Sequence, residues 1–240
     1  MAIFRFVRGF CVYLLGILLT GIVSILGWLG IVVLHISPRK IQVLPCFWGR
    51  FLSRCSGVTV KVVGVEKLEK NRPYIFAANH QSQFDIFVVQ GYLDMDIRFL
   101  AKKELFDIPI FGPAMRKSGY IAVDRSHGRQ AIRSLEEAAR KIAEGTSVVI
   151  FPEGTRSPDG NLLPFKAGGM LLALKAGVPI VPVAISGTHE ILPKGKLFPR
   201  SGKVTISVGD PIETKDYTLK QKGELARRLQ ENVAALKAAA

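Results

Sequence analysis

The sequence predicts an α/β domain built on a mixed, mostly parallel sheet flanked by helices, preceded by an N-terminal membrane-embedded helical segment. Two observations carry this. From Gly57 onward, short runs rich in Val and Ile alternate with helical patterns, the order expected of strands joined by crossover helices. Between Arg8 and Arg39 there is no charged residue at all, a stretch far longer than a buried core helix needs. The expected division is residues 1–56 as membrane-anchoring helices and 57–240 as the α/β domain.

At ~1.5 Å per residue the apolar stretch can cross the ~30 Å hydrocarbon layer with length to spare. It also exceeds the ~7–15 residue apolar core of a cleaved secretory signal, so a retained segment is expected despite the basic start at Arg5 and Arg8. Gly16, Gly21, Gly27 and Gly30 leave open a helix that lies shallowly in the bilayer instead of spanning it. After Pro38, residues 41–55 place Leu44, Phe47, Trp48, Phe51, Leu52 and Cys55 at helical spacing, with Arg50 and Arg54 on another face. Such a helix suits the membrane interface, with aromatics at the headgroups and cations toward anionic lipid; the alternative is a helix packed on the domain. No Asp or Glu precedes Glu66, and the cluster Arg39, Lys40, Arg50 and Arg54 follows the apolar run, which keeps the rest of the chain cytoplasmic by the positive-inside rule.

Strands are expected near Thr59–Val65, Tyr74–Ala78, Ile97–Ala101, Gly119–Val123, Ser147–Phe151, Ile180–Ile185 and Lys203–Val208. Ile132, Leu135, Ala139 and Ile142 mark one amphipathic helix, closed by Gly145, and Leu225, Leu229, Val233 and Leu236 mark the C-terminal one.

Composition narrows the function classes. With 48% hydrophobic residues the chain is too apolar to be disordered. Its three cysteines, Cys11, Cys46 and Cys55, show neither disulfide-scaffold nor metal-site spacing and read as reduced apolar fillers. The 33 basic residues against 19 acidic ones leave a net charge of +14, which asks for a phosphate-bearing partner: nucleic acid, a membrane surface or a small substrate. The aromatics sit in apolar runs and not beside Lys or Arg, and no zinc knuckle or RNA-recognition signature occurs, so no nucleic acid is expected. His35, His127 and His189 have no companion ligands at metal spacing, so no metal is expected. Neither Gly195-Lys196 nor Gly202-Lys203 carries the remaining residues of a phosphate-binding P-loop.

Three segments carry candidate chemistry, each at the end of a predicted strand. In PYIFAANHQSQFD, His80 stands just past a buried strand, and Asp85 lies in the following first helical turn, from which a carboxylate can curl back to the imidazole. That contact would fix the tautomer and leave the far nitrogen free as a base. The same spacing also suits a capping arrangement of Ser82 with Asp85 around a loop histidine. In VVIFPEGTRSPDG an apolar strand delivers Glu153, Gly154, Thr155 and Arg156; Gly allows close backbone approach to a ligand and Arg offers a planar fork for phosphate, although a plain turn with a Glu153–Arg156 ion pair has the same pattern. In GYIAVDRS, Asp124 and Arg125 close a third strand. Parallel strands would bring all three ends to one rim, where open α/β sheets keep their sites.

Taken together these segments resemble the glycerolipid acyltransferases of the bacterial lysophosphatidate acyltransferase type. NHQSQFD is similar to the family's NHxxxxD block, which implies that His80 is the catalytic histidine and Asp85 its partner. KKELFDIPIFG with GYIAVDR is similar to the second block, implying phosphate contacts at Lys102 and Arg125. FPEGTRS resembles the third, implying acceptor binding at Glu153, Gly154, Thr155 and Arg156, and VPVAI around Pro182 resembles the fourth. The resemblance implies an enzyme of phospholipid biosynthesis at the bacterial inner membrane, its catalytic domain on the cytoplasmic side. It would move a fatty acyl group from acyl-CoA or acyl-carrier-protein to the sn-2 hydroxyl of lysophosphatidic acid, giving phosphatidic acid, with no cofactor beyond the donor. Glycerol 3-phosphate or another lysophospholipid is the alternative acceptor, and a membrane-binding module without turnover is the alternative outside enzymes.

Overall fold

The computed structural model describes residues 2–124 and 129–240. Its centre is a seven-stranded sheet of β1 (Val58–Val63), β2 (Ile75–Ala78), β3 (Ile97–Lys102), β4 (Ile121–Val123), β5 (Ser147–Ile150), β6 (Ile180–Ser186) and β7 (Gly202–Val208), in the order β1-β7-β6-β2-β5-β3-β4. Every neighbouring pair is parallel except β6 with β7. Five strands therefore run one way and end on a single rim, while β1 and β7 run against them. This is the mixed, mostly parallel sheet that the alternating pattern predicts, and all seven expected strands are present. The first closes two residues early, at Val63, because the chain turns at Gly64 into a single 3-10 turn, Val65–Lys67.

The helices are α1 (Ala2–Val32), α2 (Pro38–Ile41), α3 (Val43–Cys55), α4 (Phe84–Tyr92), α5 (Phe111–Lys117), α6 (Arg129–Ala143), α7 (Ala167–Ala176), α8 (Thr188–Ile191) and α9 (Lys222–Ala238). They cover the sheet on both faces, which is why its central strands are apolar throughout. Along β2 the side chains alternate: Ile75 and Ala77 enter one core with Ala139 and Ile142 of α6, Met170 of α7 and Leu229 of α9. Phe76 and Ala78 enter the other, with Phe84 and Val88 of α4. The C-terminal helix buries Leu225, Leu229 and Val233 and half-buries Leu236, the stripe its spacing predicts. Of the stripe predicted for α6, Leu135, Ala139 and Ile142 face the same core, while the side chain of Ile132 lies outside the described residues.

The N-terminal helices stack outside α4. α3 packs on α4 through Gly49 and Gly91, where a Cβ on either glycine would collide with the other helix's backbone. It buries Leu52 and Ser53 and leaves Val43, Phe47 and Phe51 exposed. The segment predicted at 41–55 is thus packed on the domain and apolar outside at once. Its start falls at Val43 because Pro38 opens a separate short helix.

α1 rests on Phe198 of the domain at its start and on α3 and α2 further along. Phe6, Phe10 and Tyr13 meet the ring of Phe198 edge-on, at 5.2, 6.1 and 6.1 Å between centroids. Midway, Thr20 Oγ1 accepts a 3.0 Å hydrogen bond from the Trp48 indole, and the last turns set Gly27 and Gly30 over Ile41. Its outer face exposes Leu14, Ile17, Leu18, Ile25 and Leu26. Within Phe6–Val32 it is long and apolar enough to cross a membrane.

Candidate active site

The rim formed by the ends of β6, β2, β5, β3 and β4 gathers the chemistry-bearing segments. Asn79 first locks the end of β2 to β6: its side chain exchanges two hydrogen bonds with the backbone of Ile185, donating at 2.9 Å and accepting at 2.7 Å, so it stands in for one more ladder residue. The chain then leaves the sheet at His80. Its backbone is held on both sides, the N–H donating to Glu153 Oε1 at 2.7 Å and the carbonyl accepting from the Ser157 N–H at 2.8 Å. Its ring stacks on Phe151 at 4.0 Å between centroids and 18° between planes. With its backbone fixed and one ring face covered, the imidazole has little freedom of aim.

His80 Nδ1 lies 2.8 Å from Asp85 Oδ2. The same oxygen accepts from the backbone N–H groups of Gln81 at 2.8 Å and Ser82 at 3.0 Å, while Oδ1 accepts from the Thr188 hydroxyl at 2.5 Å. Asp85 is fully buried, and four donors converge on its carboxylate, which is the surrounding a buried anion requires. The two sequence readings of this segment prove compatible. Asp85 caps the loop and holds the imidazole at once; α4 is capped one residue later than the spacing suggests, at Gln83, while Ser82 Oγ accepts from the Phe84 N–H at 2.9 Å. An imidazole bound through Nδ1 keeps Nε2 for a proton from outside the protein.

Glu153 is turned inward. It is 2% exposed, and its two oxygens accept from the N–H groups of His80 and Leu163, at 2.7 and 3.3 Å, in place of an ion pair with Arg156. Burial pushes its carboxyl from the ordinary 4.5 up to about 7, opposed by those two hydrogen bonds and reinforced by the charge of Asp85. Gly154, Thr155 and Arg156 then form the outer edge of the rim, with Thr155 exposed and the other two half-buried.

Two cations that the sequence patterns did not flag come to this edge. Lys194 Nζ donates to the Arg156 carbonyl at 3.0 Å and reaches Thr155 Oγ1 at 3.4 Å. Lys166 covers Gly154 so closely that a Cβ there would stand 3.0 Å from its ammonium. Lys102 ends β3, two strands from His80 and roughly 10 Å across the sheet at the usual strand spacing. Beside it Lys103 pairs with Asp124 at 3.5 Å. Arg125, expected among the phosphate contacts, and His127 lie outside the described residues.

Thr188 and Gln81 are the other site residues that pattern reading missed. Gln81 donates to the Ile185 carbonyl at 2.9 Å and to Thr188 Oγ1 at 3.0 Å, tying the loop of His80 to the turn after β6. The available signal was the SGTHE stretch following an apolar strand, the same strand-end logic that singled out the other loops.

The α/β frame thus brings an oriented imidazole and a cationic edge to one rim. The family model described as Acyltransferase matches residues 59–186, more than half of the sequence, and the chain belongs to that family. It is 40% identical over 164 residues to a 1-acyl-sn-glycerol-3-phosphate acyltransferase of Limnanthes douglasii, covering 68% of this chain and 58% of that protein. It is 37% identical over 192 residues to the protein of that name in Saccharomyces cerevisiae, covering 78% of this chain and 62% of that one. The chain thus spans about three fifths of these relatives. Among solved structures, the 1-acyl-sn-glycerophosphate acyltransferase of Thermotoga maritima superposes with a TM-score of 0.76 at 30% identity, over 96% of this chain and 98% of that one.

Proposed function

We propose that the protein transfers a fatty acyl group from a thioester donor to the sn-2 hydroxyl of lysophosphatidic acid, giving phosphatidic acid, at the surface of the bacterial inner membrane. The observation that carries this reading is the His80–Asp85 pair beside the cationic edge of Gly154–Arg156, in a chain whose relatives bear that activity in their names. His80 Nε2 takes the proton of the acceptor hydroxyl as that oxygen attacks the thioester carbonyl. The C–S bond then breaks, and the imidazolium returns the proton to the departing thiolate. Asp85 acts through His80, holding Nδ1 and stabilising the imidazolium. A thioester is already activated, so no covalent acyl-enzyme is needed. Acyl-CoA and acyl-carrier-protein both present this thioester, and no further cofactor enters the reaction.

Arg156, Lys166 and Lys194, with Lys102 along the rim, hold the acceptor phosphate in this account. Arg156→Ala is expected to raise KM for lysophosphatidic acid about tenfold or more, in line with the ~1.5–3 kcal/mol of a hydrogen bond to a charged group. It should leave KM for the donor and turnover of a phosphate-free monoacylglycerol acceptor nearly unchanged. Steady-state kinetics with both acceptors checks this, and an equal loss on both would remove the phosphate role.

The membrane segment fits the same reading. Lifting the acceptor's acyl chain into water costs ~0.8 kcal/mol per CH₂, so catalysis at the interface avoids a large barrier. Because α1 meets Phe198 of the domain through Phe6, Phe10 and Tyr13, and the cationic helices α3 and α2 through Thr20, Gly27 and Gly30, a perpendicular span of the ~36 Å from Phe6 to Gly30 would draw those helices with it into the hydrocarbon. We therefore read α1 as lying in one leaflet. The exposed Phe47 and Phe51 of α3 join it there, and the exposed Lys40 and Arg54 supply charge for the anionic headgroups of the cytoplasmic leaflet, while Arg39 pairs with Asp96 and Arg50 with the Gly91 carbonyl. Replacing Phe47 and Phe51 with Glu is expected to weaken sedimentation with anionic vesicles while the far-ultraviolet circular dichroism stays unchanged. Unaltered vesicle binding would separate α3 from the membrane contact.

A further inference from the structure

The turn after β6 contributes a hydroxyl to the heart of the site. Gly187 adopts a φ of +92° there, and a Cβ on it would collide with the Lys203 carbonyl, so only glycine lets the chain swing back under the rim. The next residue is Thr188, fully buried, whose hydroxyl donates to Asp85 Oδ1 at 2.5 Å. Since that donor proton is committed to the carboxylate, the oxygen is left as an acceptor, and Gln81 Nε2 fills this role at 3.0 Å. Both functions of the hydroxyl are thus used, and its orientation is determined.

The remaining contacts leave Oδ1 of Asp85 without a tether. Its other three donors, His80 Nδ1 and the N–H groups of Gln81 and Ser82, all meet Oδ2. Thr188 is the partner among the described hydrogen bonds that fixes Oδ1, and with it the rotation of the carboxylate about its own axis. Rotation of that group would pull Oδ2 away from Nδ1, and the imidazole would lose its aim.

We infer that Thr188 is a positioning residue for the proposed acyl transfer, the third member of a Thr188–Asp85–His80 chain of hydrogen bonds that holds the base in register. The inference rests on the general-base reading of His80 given above. It also gives the strand carrying the VPVAI block a part in this site: the turn that follows β6 supports the base through Thr188.

The test is steady-state kinetics with an acyl-CoA and lysophosphatidic acid in vesicles, on wild type, Thr188→Val, Thr188→Ser and His80→Ala, with the thermal midpoint of each. Thr188→Val keeps the shape and removes the hydroxyl. It is expected to lower kcat by about 10–100-fold, the range that follows from losing one hydrogen bond to a charged group. KM for both substrates should change less than about twofold, because Thr188 lies behind Asp85 and touches neither. Thr188→Ser, which restores the hydroxyl, should return kcat to within about threefold of wild type, a rescue that loss of packing alone would not produce. Wild-type kcat in Thr188→Val, or a fall of kcat in Thr188→Ser as deep as in Thr188→Val, would overturn the inference. Should the Val variant not fold, Thr188→Cys replaces it, with a weak donor and an intermediate kcat expected; full activity there would equally overturn it. Full activity in His80→Ala removes the general-base reading itself, so the two failures are told apart.

Discussion

His80→Ala is expected to lower kcat/KM by at least ~10²–10⁴-fold, the contribution of a positioned general base, with little change in fold. The two halves of that expectation come from different contacts. Nε2 is the proton acceptor in the proposed mechanism, and among the described residues no other base is hydrogen-bonded to Asp85 to take its place. What the fold loses is smaller. The stacking on Phe151 is worth ~0.5–1.5 kcal/mol, and Asp85 keeps its contacts with Gln81, Ser82 and Thr188. The backbone of His80 still bridges Glu153 and Ser157. A thermal midpoint within several degrees of wild type, beside a near-complete loss of thiol release, is the result to look for.

The second large effect is expected at Glu153→Gln. The family resemblance assigns this residue to acceptor binding, but both of its oxygens are engaged by backbone N–H groups, so we read it as the clamp on the His80 loop. An amide presents one oxygen and one NH₂ where two N–H groups require two oxygens. One buried N–H is left facing a donor, at ~1–3 kcal/mol. The loop loosens and kcat should fall by about tenfold or more, with KM for lysophosphatidic acid little changed; a rise in KM without a fall in kcat would restore the direct acceptor role. The pH dependence gives an independent check. Because the folded carboxyl titrates at about 7 and the free one at 4.5, the folded state holds the proton more tightly. The stability this group contributes is present below pH 4.5 and is lost as pH rises toward 7 and above. Gln does not titrate, so the thermal midpoint of Glu153→Gln, relative to wild type, should climb across that window. A flat difference would contradict the raised value.

Most of the frame was legible because its signals are local. Strands covered on both faces announce themselves as unbroken apolar runs, as β2, β5 and β6 do, while β1 and β7 alternate apolar and polar residues; all seven are present, with ends displaced by one or two residues, at β1 where the chain turns at Gly64. The His80–Asp85 contact was legible for a similar reason: five residues span the step from a strand end to a first helical turn, so sequence spacing becomes spatial proximity. What escaped reading was long-range. Thr188 lies 103 residues from Asp85, Lys194 lies 38 from Arg156, and no spacing rule connects loops that meet only because β2, β5 and β6 are neighbours. Glu153 was found, but whether its carboxylate turns outward to a ligand or inward to the His80 N–H depends on how deeply the rim buries it. Similarly, the side chains of α3 could be assigned to one helix, yet only its contact with α4 divides them into a docked face and an exposed one.

The central claim is that one histidine drives acyl transfer to a lysophosphatidic acid hydroxyl. Its most direct test is thiol release from an acyl-CoA, and in parallel from an acyl-carrier-protein, by the purified protein in lipid vesicles. Lysophosphatidic acid, glycerol 3-phosphate or no acceptor is added, with His80→Ala alongside. Release is expected to require lysophosphatidic acid and His80 together, with phosphatidic acid as the lipid product. Release that proceeds equally without acceptor, or equally in His80→Ala, or no release from either donor with any acceptor, would contradict it.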